Sequence, residues 1–175
     1  MTPEEAYNYA LKYGPSDETR RIACEDPKYA YYYALDIDRE SKEDTRKAIC
    51  KDSAYAYFYA MDIDKKPRDD TREASCKESY FACLYALNID KCPRDDTRKA
   101  ACRDPLQICF YALYIDKKPE EYTRKAACRH SELAYLYAKD IDKDFHEDTW
   151  EAVKGTKYEK EYNKFLNQIE KEKII

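Results

Sequence analysis

The chain has little glycine and proline and only a small net charge. Only two of its 175 residues are glycine and seven are proline, and the net charge is −4, with 36 acidic residues interleaved with 32 basic ones. Low-complexity disorder is excluded, because 19 tyrosines and a hydrophobic content of 43% supply apolar surface for a core. A general nucleic-acid binder is disfavoured, because such a protein needs a basic face that displaces phosphate counterions.

Long apolar runs and secretion signals are also missing. No stretch approaches the roughly 20 apolar residues that a membrane-spanning helix requires. The first residues, Met1-Thr2-Pro3-Glu4-Glu5, lack the basic start and the apolar core of a signal peptide. We therefore expect a cytoplasmic protein without a membrane partner.

Metal-binding and disulfide patterns are absent as well. The eight cysteines form no Cys-x-x-Cys pair, and there are only two histidines, so neither a metal site nor a cofactor is expected. Solenoid repeats stack about 8–10 Å apart, which exceeds the limit of about 7 Å between the Cα atoms of a disulfide. The cysteines that recur in successive repeats are therefore predicted to be small buried thiols, whereas Cys92, in a turn, is expected to be exposed. The recurring cysteines are Cys24, Cys50, Cys76, Cys102 and Cys128.

What the chain does have is a repeat. Each step between successive copies is 26 residues, as 45 − 19 and 71 − 45 show. The marker threonines are Thr19, Thr45, Thr71, Thr97, Thr123 and Thr149. A fixed period between roughly 20 and 50 residues is typical of a solenoid. Each unit divides into a short first helix and a longer second helix, and the second begins at a capping side chain followed by proline or serine, as at Asp26-Pro27.

These signals predict an all-α fold, a right-handed α-solenoid of about five two-helix repeats in a single domain spanning residues 1–175. Residues 1–16 are predicted to form an N-terminal capping helix, residues 17–148 the five repeats, and residues 149–175 a C-terminal cap. The repeats are expected to start at about residues 17, 43, 69, 95 and 121. Thr2 and Glu5 form a capping-box pattern at the first helix.

Two sets of recurring residues are predicted to hold the repeats together. Alanine and tyrosine fall on one stripe of each second helix, as Ala56, Tyr59, Ala60 and Ile63 do, and this stripe is the expected core face. Arginine and aspartate form two further rows. A repeated ion pair, for example between Asp64 and the next arginine, Arg72, is predicted to clip adjacent units.

The run Thr97-Arg98-Lys99-Ala100-Ala101-Cys102-Arg103-Asp104-Pro105, followed by an alanine-centred helix ending in Ile115-Asp116, resembles the short α-solenoid repeats of the leucine-rich variant and HEAT-like families. The resemblance covers residues from about 15 to 150, with tyrosine and alanine in place of the leucines. It implies an architecture of stacked helix pairs and, by analogy, binding rather than catalysis.

The candidate site lies on the other side of the second helices. Phe58 and Met61 point away from the core stripe by roughly 150–200°, yet the column of Phe58 is apolar in every repeat. Either neighbouring helices cover this column, or part of it lines a concave groove that binds a partner. A neighbouring column varies freely from Asp36 to Tyr114, so we interpret it as facing solvent or a partner. The predicted partner-binding residues are the most apolar ones of the central repeats with Asn88, namely Tyr80, Leu84, Leu87, Asn88, Leu106, Phe110, Leu113 and Tyr114.

We therefore expect a non-catalytic module that binds another protein, and a second copy of the chain is also considered as a partner. The tyrosine-rich Thr-Arg-Lys-Ala-Ala-Cys type resembles small phage or viral interaction proteins such as inhibitors of host enzymes, which would act in the host cytoplasm. Nucleic-acid or nucleotide binding through tyrosine stacking is the alternative. An enzyme on a HEAT-like fold is the least favoured class, because no catalytic triad, phosphate-binding loop or His-Glu-x-x-His motif is present.

Overall fold

The computed structural model describes residues 1–173, in which there are thirteen α-helices and no β-strand. The first helices of the repeats are α2 (Asp17–Ala23), α4 (Glu43–Ile49), α6 (Asp69–Ser75), α8 (Asp95–Ala101) and α10 (Glu121–Ala127). The second helices are α3 (Pro27–Tyr32), α5 (Ser53–Tyr59), α7 (Ser79–Tyr85), α9 (Pro105–Tyr111) and α11 (Ser131–Tyr137). The helices at the two ends are α1 (Pro3–Tyr13), α12 (Glu147–Val153) and α13 (Glu159–Glu172). The predicted all-α class with repeated helix pairs is confirmed, and so are the starting points of the repeats. The right-handed sense stays a prediction.

Each second helix ends in a feature that the sequence did not predict, a π-helical turn. These turns are Tyr33–Asp38, Ala60–Asp64, Ala86–Asp90, Ala112–Asp116 and Ala138–Asp142. The residue after each turn has a left-handed backbone, with φ of 53° at Lys65 and 56° at Lys91. Glycine is the usual choice there, but all five positions carry lysine or arginine, whose charge complements the carbonyl groups at the end of the helix.

Contacts divide the chain into two compact units, Met1–Ala100 and Ala101–Ile175. In the first unit the second helices pack side by side, α3 against α5 and α5 against α7. In the second unit α9 packs against α11, and α11 packs against α12. The interpretation of residues 1–175 as one domain stays a prediction.

The core stripe of the second helices is confirmed. Ala56, Tyr59 and Ala60 are fully buried, whereas Ile63 at the end of the stripe is only partly buried. Alanine allows the helices to approach closely, and tyrosine fills the remaining space.

A hydrogen bond between two buried hydroxyl groups joins the two helices of a repeat. In the second repeat, Tyr59 Oη lies 2.8 Å from Thr45 Oγ1, and both side chains are fully buried. The Tyr59 hydroxyl also accepts a hydrogen bond from the backbone N–H of Lys42 at 3.1 Å, so it supplies a cap that the N-cap residue itself does not provide. Thr45 Oγ1 in turn donates to the Lys42 carbonyl at 3.1 Å. Every polar atom of this buried cluster therefore has a partner.

We call this contact the Thr–Tyr hydroxyl pair, and it recurs through both units. In the first unit it joins Thr19 to Tyr33, Thr45 to Tyr59 and Thr71 to Tyr85. In the second unit it joins Thr123 to Tyr137 and Thr149 to Tyr162. Because Tyr162 lies on α13, the C-terminal helix occupies the place of a second helix and completes the last pair.

The arginine and aspartate rows form ion pairs, but not the predicted ones. Arg20 binds Asp38 of its own repeat, with Nε 2.9 Å from Oδ2. The contact that crosses to the next repeat runs from Arg46 to Asp70, at 2.8 Å. The predicted pairing of Asp64 with Arg72 is therefore wrong. The Asp64 carboxylate faces Nε of Arg68 at 3.0 Å, one turn further along the chain.

Arg72 is the most enclosed arginine of this row, with a relative exposure of 5%. Its guanidinium contacts Asp69, lies 2.8 Å from Asp96 of the next repeat and 3.4 Å from Asp90. Burial raises the pKa of Asp90, and the Arg72 charge opposes that shift. Burial alone would raise the pKa of Asp96, but the pKa is lowered because the hydrogen bonds from Arg72 and the Thr97 N–H and the charges of Arg72 and Arg94 together outweigh burial.

Replacing Arg72 with methionine should destabilise the fold by about 3–5 kcal/mol at pH 7, because the buried Asp90 carboxylate would lose the guanidinium that it contacts and keep only the charge of Arg94. The pKa of Asp90 should rise further in the variant. Since a buried acid with a raised pKa favours the folded state once it is protonated, the loss should shrink as the pH falls through that pKa. Urea denaturation at pH 7 and pH 5 measures both effects.

Arg21→Met is the matched control, because Arg21 is an exposed arginine whose nearest carboxylate, that of Glu25, lies 3.8 Å away. It should change the free energy of unfolding by less than about 0.5 kcal/mol. Equal losses in the two variants, or a loss at Arg72 that does not depend on pH, would contradict this account.

Candidate binding surface

Four of the predicted binding residues lie on α7 and its π turn, in the first unit. Tyr80 is 54% exposed, and Leu87 and Asn88 are exposed as well. Leu84 is half-buried and packs against the core cluster that contains Tyr57 and Tyr85. Tyr80 and Leu87 are thus available to a partner, whereas Leu84 also belongs to the packing between repeats.

Two further apolar side chains were left out of the predicted site although they lie on the same side of α5. Phe58 and Met61 are exposed large hydrophobic residues. Their direction away from the core stripe was the signal that could have included them. We define the unit 1 apolar surface as Phe58, Met61, Tyr80, Leu84 and Leu87.

An aromatic row runs through this surface and continues towards α1. Ring centroids lie 5.3 Å apart between Tyr80 and Phe81 and 6.3 Å apart between Phe81 and Phe58. The row continues from Phe58 to Tyr31 at 6.3 Å. Contacts at these distances stabilise the stacked second helices beyond their buried area. Part of the Phe58 column therefore packs between repeats, and part of it remains exposed. Both alternatives that the sequence left open, packing between helices and an open groove, apply to some of its atoms.

In the first unit, the column that varies from Asp36 to Tyr114 forms hydrogen bonds between repeats. The prediction that this column faces only solvent or a partner is therefore wrong for Asp62 and Asn88. The Tyr31 hydroxyl donates to Asp62 of the next repeat at 2.7 Å, and the Asn88 amide donates to the Tyr57 hydroxyl at 2.8 Å. Burial, followed by the bond to the carboxylate, raises the pKa of Tyr31. Asn88 therefore has one amide hydrogen and its carbonyl oxygen left for a partner.

The other four predicted residues lie on α9 and its π turn, in the second unit. Leu106 is 80% exposed and Tyr114 is 54% exposed. Leu113 is exposed, and half-buried Phe110 stacks on Tyr114 with ring centroids 4.9 Å apart. These four residues are the unit 2 apolar surface.

No group of three or more histidine, cysteine or acidic side chains within residues 1–173 could hold a metal ion. His146, one of the two histidines, caps α12 by accepting a hydrogen bond from the Asp148 backbone at 3.2 Å. Among the described helices, none is both long and apolar enough to cross a membrane.

No model of a protein family, curated protein or solved structure matches the chain. The resemblance to leucine-rich variant and HEAT-like repeats therefore stays a prediction.

The eight cysteines are all unbridged. The prediction that the five recurring cysteines are buried holds only for Cys102, because the other four are half-buried. Burial raises the pKa of Cys24 to about 12 and the pKa values of Cys50, Cys109 and Cys128 to about 11. Cys92 is exposed, as expected from its place in a turn.

In the folded protein, iodoacetamide at pH 8 should therefore modify one cysteine rapidly and the others slowly. A thiol with a pKa near 11 is ionised in only about one molecule in a thousand at that pH, and the thiolate is the reacting form. The rapid phase should disappear in Cys92→Ser, as followed by mass spectrometry. Rapid modification of several further cysteines would show that the repeated thiols are not enclosed.

Proposed function

We propose that the chain is a non-catalytic protein-binding module that uses the apolar surfaces of its second helices. The observation that carries this proposal is the exposure of large apolar side chains at repeated positions, among them Tyr80, Leu87, Leu106 and Tyr114. Single exposed hydrophobic residues are common on any protein, but grouped ones usually mark an interface. Tyrosine is also a residue type that interfaces favour.

The difference between the buried face and the exposed face of a second helix supports this function. Tyr59 and Ala60 are buried on one face, whereas Phe58 and Met61 are exposed on the other. The fold does not require large apolar groups at the exposed leucine positions of the second helices, because a polar side chain there would leave the Thr–Tyr hydroxyl pairs and the aromatic ring contacts intact. Another protein is therefore the partner that we propose, and a second copy of the chain is tested as an alternative.

We further propose that the module works in the cytoplasm, and in the host cytoplasm if it is a phage-type inhibitor of a host protein. Eight unbridged cysteines, one of them exposed, fit a reducing compartment. The phage-type role follows from the sequence resemblance alone.

Paired serine substitutions test the surfaces one unit at a time. Tyr80→Ser with Leu87→Ser removes part of the unit 1 apolar surface, and Leu106→Ser with Tyr114→Ser removes part of the unit 2 apolar surface. Burying a large apolar side chain is worth about 1.5–3 kcal/mol, so the pair on the contacting surface should weaken binding by at least about tenfold. The partner is captured from a lysate of the native cell by the tagged wild-type chain, identified by mass spectrometry and then titrated as a purified protein.

Tyr122→Ser with Phe145→Ser is the control, because both side chains are equally exposed but lie outside the second helices. It should leave the affinity unchanged. All three variants should stay folded and melt within a few degrees of the wild type, because Tyr80 and Tyr114 each give up only one ring contact in the described part of the chain. Full affinity in both surface variants, or an equal loss in the control, would contradict the proposal. Sedimentation that shows a stable wild-type dimer, dissociated by the surface substitutions, would make a second copy the partner.

A further inference from the structure

Two cavities lie at equivalent places, each between the π turns of two consecutive second helices. The cavity in the first unit has a volume of about 400 Å³. Its principal lining residues are Met61, Lys65, Lys66, Asn88, Ile89 and Lys91. The cavity in the second unit has a volume of about 340 Å³. Its principal lining residues are Leu113, Lys117, Lys118, Asp140, Ile141 and Lys143. Both volumes fall within the range of sites for small molecules, roughly 300–1,000 Å³.

The first-unit cavity is strongly positive. Lys65, Lys66 and Lys91 line it, and no carboxylate does. Of the acidic residues in the same turns, Asp64 faces Arg68 and Asp90 lies 3.4 Å from Arg72, so both have a cationic partner. Asp62 accepts from the neutral Tyr31 hydroxyl and keeps its charge, but it does not line the cavity. None of the described ion pairs involves the three lysines, so their charges are not neutralised within residues 1–173.

The helix dipole accounts for two of these lysines but not for Lys66. Lys65 and Lys91 follow π turns, where a cation offsets the helix dipole. Each helix end carries only about half a negative charge, so two ends leave a net charge of about +2 from three ammonium groups, or about +1 when the nearby Asp62 carboxylate is included. Lys66 is not at such a position, and the equivalent residues Glu40 and Cys92 are not basic.

The second-unit cavity has the same three lysines but less free charge. Asp140 replaces Asn88 in its lining, and the Lys118 ammonium group lies 3.2 Å from a Glu120 carboxylate oxygen. The chain therefore contains a natural comparison, in which an amide and a carboxylate occupy the same position of two similar cavities.

We propose that the first-unit cavity binds a small molecule that carries a phosphate-class anion. Ammonium groups bind phosphate as compact point charges. Met61 and Ile89 give the cavity an apolar wall, against which a non-polar part of the ligand can pack. This proposal does not rest on the protein-binding function, although the cavity shares Met61 with the unit 1 apolar surface.

The test is a titration of the isotope-labelled full chain with inorganic pyrophosphate at constant ionic strength, followed by NMR. The amide signals of Lys65, Lys66 and Lys91 should shift and saturate in the submillimolar range, while those of Lys117 and Lys143 should respond at higher concentrations. Lack of saturation, or equal responses at the two cavities, would overturn the proposal and indicate general attraction to lysines.

A second test exchanges the residue that differs between the two cavities, Asn88 in the first unit and Asp140 in the second. Asn88→Asp should weaken pyrophosphate binding in the first unit by about tenfold or more, because it adds a negative charge beside the anion. The variant should keep its fold, since Asp62 already accepts from Tyr31 in the equivalent place. Asp140→Asn should strengthen binding in the second unit. Unchanged affinity in Asn88→Asp, with its melting temperature preserved, would refute the assignment.

The last experiment titrates the chain with short single-stranded oligonucleotides of increasing length. Binding no tighter than that of pyrophosphate supports a small-molecule site. An affinity that rises with strand length would instead assign the lysines to a nucleic-acid backbone and overturn the proposal.

Discussion

The structure depends on one interaction, the hydrogen bond between the buried threonine of a first helix and the buried tyrosine of the second. A helix of seven residues is too short to be stable alone, so each first helix needs a fixed attachment. The tyrosine ring supplies packing, and its hydroxyl supplies the cap that Lys42 N–H would otherwise lack. Because the hydroxyl groups are out of contact with water, an unmatched partner would be costly, and threonine and tyrosine are needed together. The same pair at Thr149 and Tyr162 lets a different helix, α13, close the array.

This arrangement separates the residues that build the repeat from those that are free to vary. Burial fixes the alanines and the tyrosine of each second helix, while ion pairs such as Arg46 with Asp70 connect one repeat to the next. Much of the exposed face is under neither constraint, although Phe58, Leu84 and Asn88 also take part in the packing between repeats. It carries apolar groups in both units, and the turn beside it carries lysines that exceed what the helix ends require. The two proposed sites therefore occupy the parts of the repeat that the fold leaves unspecified.

Much of the fold could be predicted because the period is strict, and a position that recurs every 26 residues shows its role by repetition. The helix pairs, their starting points and the core stripe follow from that pattern. The ion pairs did not follow from it, because Asp64 and Arg72 are close in sequence but the chain reverses direction between them, and side-chain reach then decides the partner. The π turns depend on one extra residue per turn, which has no signature in the hydrophobic spacing. Asn88 looked unconstrained because its partner, Tyr57, lies 31 residues away.

A double-mutant cycle on the second repeat tests the central claim most directly. Tyr59→Phe and Thr45→Val each remove one hydroxyl group, and the double variant removes both without changing the shape of the core. If the two hydroxyl groups form a coupled pair, each single variant should lose about 1–3 kcal/mol in urea denaturation, and the double variant should lose about 1 kcal/mol less than their sum. Losses that add to within about 0.3 kcal/mol would show that the hydroxyl groups act independently, and would contradict the role given to the pair.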